Sequence, residues 1–160
     1  MQIVFLHGLE SGPQGSKFQA LSRRFGEILA PDCSGIYTES ERLQVIRREL
    51  ADQPGPFLLV GSSMGGLMAL LLQQAEPERI AGLVLCAPAL QRGNAPSIDP
   101  RKLPPTRVIH GSRDEVIPIR VSRVFAERLI EVDDDHRLQN SLTVIVQTVA
   151  ELIPVCSLGH

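Results

Sequence analysis

The stretch FLLVGSSMGGLMALLLQQA, residues 57–75, decides how this chain folds. It begins with a compact apolar run typical of a buried strand and continues as a helical pattern. Between the two, Gly61-Ser62-Ser63-Met64-Gly65 matches Gly-x-Ser-x-Gly, in which the serine occupies a strained turn between a strand and a helix. Only small neighbours fit such a turn, and it raises the serine hydroxyl above the end of the sheet. The sequence therefore predicts Ser63 as a nucleophile at the positive, amino-terminal end of a helix.

The rest of the chain alternates between short β-rich runs and longer helical patterns. This alternation predicts an α/β fold, with a mostly parallel sheet of about six strands and helices on both faces. The predicted strands are Gln2–Leu6, a weak candidate at Cys33–Tyr37, Phe57–Gly61, Ile80–Cys86, Arg107–His110 and Leu129–Val132. A length of 160 residues predicts a single domain, residues 1–160. Because ligands bind beyond the carboxyl ends of parallel strands, we expect the chemistry in the loops that follow them.

The helices between these strands are predicted from apolar spacing and from start and stop signals. Their ranges are Ser16–Leu29, a helix after Thr38 that runs to Leu50, the helix after Ser63 that runs through Leu72, Pro118–Arg128, and Leu138–Leu152. Thr38-x-x-Glu41 resembles a capping box, and Pro154 is expected to end the last helix. The proline-rich segment from Pro88 to Pro105 is predicted to be a long rim loop.

Composition excludes several classes of function. The net charge is −2, and no dense Lys/Arg cluster indicates a nucleic-acid partner. The most apolar window, Leu67–Leu72, is far shorter than a membrane span, and no secretion signal precedes the first strand. The three cysteines, Cys33, Cys86 and Cys156, are widely spaced and fit neither a disulfide framework nor a zinc site. We therefore expect a cytoplasmic protein with no membrane partner, and the oligomeric state stays open.

A serine nucleophile needs a base, and His136 is the predicted one. It lies in Asp133-Asp134-Asp135-His136-Arg137, between the last strand and the last helix, where a loop can bring an imidazole over the sheet. His7 and His110 instead end strands, and His160 is the last residue. The three aspartates beside His136 are expected to point to solvent.

Asp114 is the predicted partner of the base, which needs a carboxylate to fix its tautomer. It follows a strand in His110-Gly111-Ser112-Arg113-Asp114, and the chain order Ser63, Asp114, His136 is the one that this fold uses. Glu115 is the nearest competitor, and Asp99 in the rim loop is less favoured.

A negatively charged tetrahedral intermediate needs an oxyanion hole, which is usually built from two backbone N–H groups. We predict one from Met64, directly after the nucleophile. The other is predicted from Leu9, in the loop after the first strand, where His7 and Gly8 shape the turn.

The chain resembles a known family. Its motifs resemble those of the α/β-hydrolase superfamily, in order: Phe5-Leu6-His7-Gly8, Gly61-Ser62-Ser63-Met64-Gly65-Gly66, His110-Gly111-Ser112-Arg113-Asp114 and Asp135-His136-Arg137. The opening Leu6-His7-Gly8, with Ser11, Gly12 and Lys17 nearby, is similar to small YqiA-like esterases. The resemblance implies a compact α/β-hydrolase fold and a serine hydrolase of small-molecule esters or thioesters, with no cofactor and no metal. It also matches Ser63, Asp114 and His136 to the catalytic triad of the family.

The chain lacks the amino-terminal antiparallel strands and the cap domain of larger members. We therefore expect a shallow cleft that favours small or exposed acyl groups. Its predicted lining is Leu9, Met64, Pro88, Leu90 and Ile117, of which Pro88, Leu90 and Ile117 are the predicted substrate-binding residues.

Other readings stay open at this point. A thioesterase or an acyltransferase would use the same residues, and a non-catalytic binding or regulatory protein could retain the fold. Nucleotide binding is disfavoured, because the glycine-rich segment Gly8–Lys17 matches neither phosphate-binding fingerprint. Cys86, at the end of a strand, is expected to be a buried structural cysteine.

Overall fold

A five-stranded parallel sheet forms the middle layer of the molecule in the computed structural model, which describes residues 1–93 and 95–159. The strands lie side by side in chain order and are β1 (Gln2–Leu6), β2 (Phe57–Ser62), β3 (Ile80–Cys86), β4 (Thr106–Gly111) and β5 (Leu129–Val132). The α-helices are α1 (Ser16–Phe25), α2 (Glu39–Leu50), α3 (Met64–Ala75) and α4 (Leu142–Ser157). All neighbouring strands pair in parallel, so their carboxyl ends meet at one edge of the sheet.

Helices cover both faces of this sheet, as predicted. Successive side chains of a strand point to opposite faces, so Leu6 and Leu59 pack with α2 and α3, whereas Phe5 and Val60 pack with α1 and α4. All four side chains are nearly inaccessible to solvent. Burying a side chain of this size contributes roughly 1.5–3 kcal/mol. The sheet is therefore a rigid base for the loops at its carboxyl edge.

The sixth predicted strand, Cys33–Tyr37, is wrong. These residues form a loop, and Gly35 has a φ of +76°, which interrupts an extended chain. The free edge of β1 is instead met by a single residue, Leu29, whose backbone exchanges hydrogen bonds with Ile3 and Phe5 at 3.0 and 2.8 Å.

Two predicted helix ends and one predicted helix type also differ. Gly26, with a φ of +80°, stops α1 at Phe25 and frees Leu29 for its contact with β1. Pro154 lies inside α4 and does not end it, because it removes only one hydrogen bond from the last turn. The segment after Pro118 has 3₁₀ geometry from Ile119 to Arg128, with a break at Ala126.

The carboxyl-terminal helical segment is the longest apolar one in the described chain. Gln139–Ser157 is long and apolar enough by composition to cross a membrane, unlike the short window at Leu67–Leu72. In this fold it packs on the sheet through Ile145, Val149 and Leu152, which are almost fully buried. This packing accounts for the buried part of this segment, which makes up 33% of its apolar 18-residue window.

Candidate active site

Ser63 lies in a sharp turn between β2 and α3. Its φ of +56° is in the left-handed region that a residue with a Cβ rarely adopts. A Cβ on Gly65 would lie 1.9 Å from the carbonyl oxygen of Leu6, and one on Gly61 would lie 2.3 Å from that of Gly65. Only glycine therefore lets the start of α3 approach β1 and β2 this closely, and this approach holds Ser63 at the carboxyl edge of the sheet.

Three side chains predicted from the sequence form a continuous hydrogen-bonded chain. His136 Nε2 is 3.1 Å from Ser63 Oγ, and His136 Nδ1 is 2.8 Å from Asp114 Oδ2. Because a carboxylate only accepts, Nδ1 carries the hydrogen, and Nε2 is left to accept from the serine hydroxyl. This is the arrangement in which an imidazole can take a proton from Ser63.

The carboxylate of Asp114 is fully buried and surrounded by donors. Its Oδ1 accepts from the N–H groups of Val116 and Ile117 at 2.9 and 2.7 Å. Its Oδ2 also lies 3.2 Å from Nε2 of a second, inaccessible histidine, His110. Nε2 of His110 carries a hydrogen, since its other neighbour is the carbonyl oxygen of Ile117 at 2.9 Å. Sequence reasoning considered His110 only as a rival base; its position four residues before Asp114 was the available signal.

The loop that carries His136 is held by Asp134. This residue is buried, so the expectation that all three aspartates point to solvent is wrong for Asp134. Its Oδ2 accepts from Ser141 Oγ at 2.8 Å and from Asn140 N at 3.0 Å. Burial alone would raise the pKa of Asp134, but these bonds and one from the Asp135 N–H hold that pKa below its usual value. The carboxylate thus ties the turn at His136 to the start of α4.

A second tie to the same loop comes from α1. Lys17 Nζ donates to the carbonyl oxygen of Arg137 at 2.8 Å, directly after His136. Burial lowers the pKa of Lys17, and the neighbouring carboxylate of Asp134 opposes this shift. Lys17 therefore fixes the backbone next to the imidazole.

Two backbone N–H groups beside Ser63 are free to bind an anion. Across residues 1–93 and 95–159, neither Leu9 N–H nor Met64 N–H has a hydrogen-bond acceptor. The loop of Leu9 reaches the serine, because a Cβ on Gly8 would lie 3.4 Å from the Cβ of Ser63. Gly8 N–H itself donates to Ser11 Oγ at 3.2 Å. The two donors predicted for an oxyanion hole are thus both unpaired; Met64 follows Ser63 in the chain, and Leu9 follows Gly8, which packs against Ser63.

Behind this loop lies an arginine that sequence reasoning missed. Arg42, on α2, is 1% exposed, and its guanidinium donates only to carbonyl oxygens. These belong to His7 at 2.9 Å, Gly8 at 3.2 Å, Cys33 at 3.4 Å and Ile36 at 2.7 Å. The signal was its spacing: Arg42 stands four residues before buried Ile46, on the apolar stripe of the helix.

His7 completes the support of the loop. Its Nδ1 is 2.8 Å from the Gly8 carbonyl oxygen, and its Nε2 is 2.9 Å from the Cys33 N–H. Nδ1 therefore donates and Nε2 accepts, which requires a neutral ring. Burial lowers the pKa of His7, in agreement with this neutral state.

The predicted cleft residues differ in exposure. Met64, Pro88 and Ile117 are buried, whereas Leu9 and Leu90 are half-buried. An open recess of about 550 Å³ adjoins the carboxylate end of the triad and has a polar lining of Ser112, Arg113, Asp114, Glu115 and Asp135. The assignment of Pro88, Leu90 and Ile117 to substrate binding stays a prediction.

Cys86 lies beside Ser62 in the sheet, one residue before Ser63. Cys86 is fully buried at the end of β3, as predicted, and burial raises the pKa of its thiol to about 11. In the described ranges, no group of three or more His, Cys, Asp or Glu side chains has an arrangement that could hold a metal ion.

Comparison with known proteins shows which family this chain belongs to. A model of the alpha/beta hydrolase family matches residues 3–155. The chain belongs to this family. It has the expected alpha/beta hydrolase fold, with five strands where the sequence predicts about six. No curated protein matches the chain significantly.

Several solved structures superpose over nearly the whole chain. A protein from Xanthomonas campestris, assigned to the hydrolases of the alpha/beta superfamily, is 27% identical; the match covers 96% of this chain and 97% of that one, with a TM-score of 0.79. Est1E from Butyrivibrio proteoclasticus is 18% identical, with 97% and 87% covered and a TM-score of 0.76. The monoacylglycerol lipase of Paleococcus ferrophilus is 16% identical, with 97% and 94% covered and a TM-score of 0.74. The last two, at this low identity, support the fold alone.

Proposed function

We propose that this hydrolase cleaves carboxylic esters or thioesters through an acyl-enzyme on Ser63. The observation that carries the proposal is the chain of hydrogen bonds from Ser63 Oγ through His136 to Asp114, at 3.1 and 2.8 Å. A histidine with one nitrogen on a serine hydroxyl and the other on a buried carboxylate is the arrangement that activates serine.

The proposed reaction has two halves. Ser63 Oγ attacks the acyl carbon while its proton moves to His136 Nε2. The bond to the leaving group then breaks, and His136 returns the proton to the leaving alcohol or thiol. Water next gives a proton to His136 and attacks the acyl-enzyme; the bond to Oγ breaks, and Oγ recovers its proton. Asp114 stabilises the imidazolium during both halves.

The N–H groups of Leu9 and Met64 are proposed to bind the oxyanion in both tetrahedral intermediates. Each such donor typically contributes about 10²–10³ to the rate. Met64 N–H also lies at the positive end of α3, where the helix dipole favours negative charge.

The proposed substrate class is an ester or thioester with a small or exposed acyl group. The half-buried Leu9 and Leu90, which pack against the same apolar cluster as buried Met64, offer limited apolar surface for an acyl chain. Hydrolysis and acyl transfer use the same residues up to the acyl-enzyme, so the acceptor is left open. The location proposed for the protein is the cytoplasm.

The first experiment is labelling with a fluorophosphonate probe, which reacts with activated serines. Wild-type protein should be labelled, Ser63→Ala should not, and Ser62→Ala is the matched control because it removes the adjacent hydroxyl. Labelling that survives in Ser63→Ala would contradict the assignment of the nucleophile. No labelling of folded wild-type protein would favour a binding or regulatory protein that retains the fold.

A panel of acyl esters and thioesters then tests the substrate class. We expect kcat/KM to fall as the acyl chain is lengthened. A wide preference for long acyl chains would overturn the small-acyl assignment and leave the nucleophile assignment intact.

A further inference from the structure

Arg42 is a buried cation that contacts no carboxylate in the described chain. Its four hydrogen bonds all end on main-chain carbonyl oxygens of two loops, the one after β1 and the one before α2. A buried charge normally has a charged partner, because burial without one is costly. A guanidinium held only by carbonyl groups fixes the orientation of the peptides that carry them.

One of these peptides is the Gly8–Leu9 peptide beside Ser63. Its carbonyl oxygen receives two donors, His7 Nδ1 at 2.8 Å and Arg42 Nη2 at 3.2 Å. The peptide is trans, so its C=O and N–H point in opposite directions. With the oxygen fixed toward Arg42 and His7, the Leu9 N–H is directed away from them and stays unpaired.

We propose that Arg42 is a positioning residue that holds the Leu9 N–H in the oxyanion hole. The inference rests on the proposed function, in which that N–H binds the developing oxyanion. Arg42 contacts no reacting atom; it acts through the Gly8 carbonyl oxygen.

The hydrogen bonds of Arg42 to this loop affect the Leu9 N–H donor in two ways. The bonds to His7 O and Gly8 O hold two successive peptides of the loop, so the donor needs no reorganisation during the reaction. A hydrogen bond from a charged donor to a carbonyl also polarises the peptide and strengthens its N–H as a donor. Both effects favour the transition state over the bound substrate, whose carbonyl oxygen carries little charge.

Arg42→Met tests the inference, with Arg79→Met as the matched control. Arg79 also donates to two carbonyl oxygens, those of Leu50 and Gln53 at 2.8 and 2.9 Å. It lies directly before β3, at the opposite edge of the sheet from Ser63. Both variants remove an arginine that joins loops, and only one of them touches the loop of Leu9.

The decisive readouts separate positioning from stability. We expect Arg42→Met to lower kcat about 10–100-fold with little change in KM, since loss of a whole oxyanion donor costs about 10²–10³. A trifluoromethyl ketone, whose adduct with Ser63 carries a negative oxygen, should lose affinity by the same factor as kcat/KM. Arg79→Met should lower the unfolding temperature and leave kcat unchanged.

The backbone amide resonances of Leu9 and Met64 give a readout that needs no turnover. In Arg42→Met the Leu9 resonance should shift while that of Met64 stays in place. If Arg42→Met does not fold, Arg42→Lys replaces it: an ammonium keeps the charge but cannot fork to the same carbonyl groups, so the same changes should occur at smaller size.

The outcomes separate the two proposals. Folded Arg42 variants with wild-type kcat, ketone affinity and Leu9 resonance overturn the positioning role. Wild-type protein that neither hydrolyses esters nor binds the ketone overturns the proposed function, while a shift of the Leu9 resonance in the Arg42 variants would still support the hold on this peptide.

Discussion

At the scale of single residues, Asp114 is the polar centre of the site. Its Oδ1 accepts from two backbone N–H groups, and its Oδ2 lies next to two histidine nitrogens that carry hydrogens. Every neighbouring polar group is therefore a donor, and a carboxylate is the side chain of this size that can satisfy all of them.

Asp114→Asn should lower kcat by about 10³–10⁴-fold, a loss of the size seen when the acid of such a triad becomes an amide. Whichever way the amide is turned, its NH₂ faces a donor, so His136 loses its orientation. The rate of ester hydrolysis at saturating substrate measures the effect. Glu115→Gln is the matched control, because it neutralises the adjacent exposed carboxylate. Equal losses in the two variants would argue against Asp114 as the partner of His136.

Sequence alone identified the three residues that the fold brings together, and the reason is local. Ser63, Asp114 and His136 lie one, three and four residues after the ends of β2, β4 and β5, so their positions near the carboxyl edge follow from recognising these strands. Arg42 was missed because its partners are set by packing between elements, whereas the contact of His110 with Asp114 spans only four residues and depends on how the loop after β4 turns back. No local pattern states that an arginine on α2 reaches a loop about 34 residues away in sequence.

At the scale of elements, α2 is the helix that connects local sequence to the site. Its first turn carries Arg42, and Thr38 caps it by accepting from the Glu41 N–H at 3.4 Å, which is one of the two bonds of the predicted capping box. The first turn of α2 therefore holds the arginine that donates to the loop around Gly8.

Thr38→Ala should lower the free energy of unfolding by about 1 kcal/mol, the usual cost of losing an N-cap oxygen. Thr38→Ser keeps the oxygen and should cost much less. Urea unfolding of the three proteins measures both changes. A Thr38→Ser loss equal to that of Thr38→Ala would mean that the methyl group, and not the cap, is responsible.

The elements that sequence misplaced share a cause. The sequence predicts a helix to Leu29 and a strand at Cys33–Tyr37, but Gly26 and Gly35, both with positive φ, turn the backbone. The carbonyl oxygens of Cys33 and Ile36 then bond to Arg42, and the Cys33 N–H bonds to His7. Side chains from other elements satisfy this backbone, so a strand is not needed.

At the scale of the whole molecule, His7 links stability to pH. Its pKa in the folded protein is lowered from 6.5, first by burial and also by the charge of Arg42. Between that lowered value and 6.5, the unfolded chain binds more protons than the folded one. The free energy of unfolding should therefore fall as pH decreases below about 6.5, the ordinary pKa of histidine.

His7→Gln tests this link, because glutamine offers a donor and an acceptor but does not titrate. Urea unfolding at several values between pH 7.5 and 5 should give a smaller loss of stability for the variant than for the wild type. His110 and His136 are unchanged in the variant, so they cancel in the comparison. Identical pH slopes would contradict a titration of His7 in this range.

The hydrogen bonds between α1 and the loop of His136 join the first part of the chain to be synthesised to the last part. Lys17 bonds to Arg137 and Ser16 to Gln139, across 120 and 123 residues of chain. Contacts so distant in sequence close late, because a long loop must be ordered first. On the ribosome, the emerging chain holds the turn of Ser63 well before the segment of His136 has been synthesised. In the proposed mechanism, a nascent chain of this protein would therefore carry its serine without its base until the last part of the polypeptide folds back onto the first.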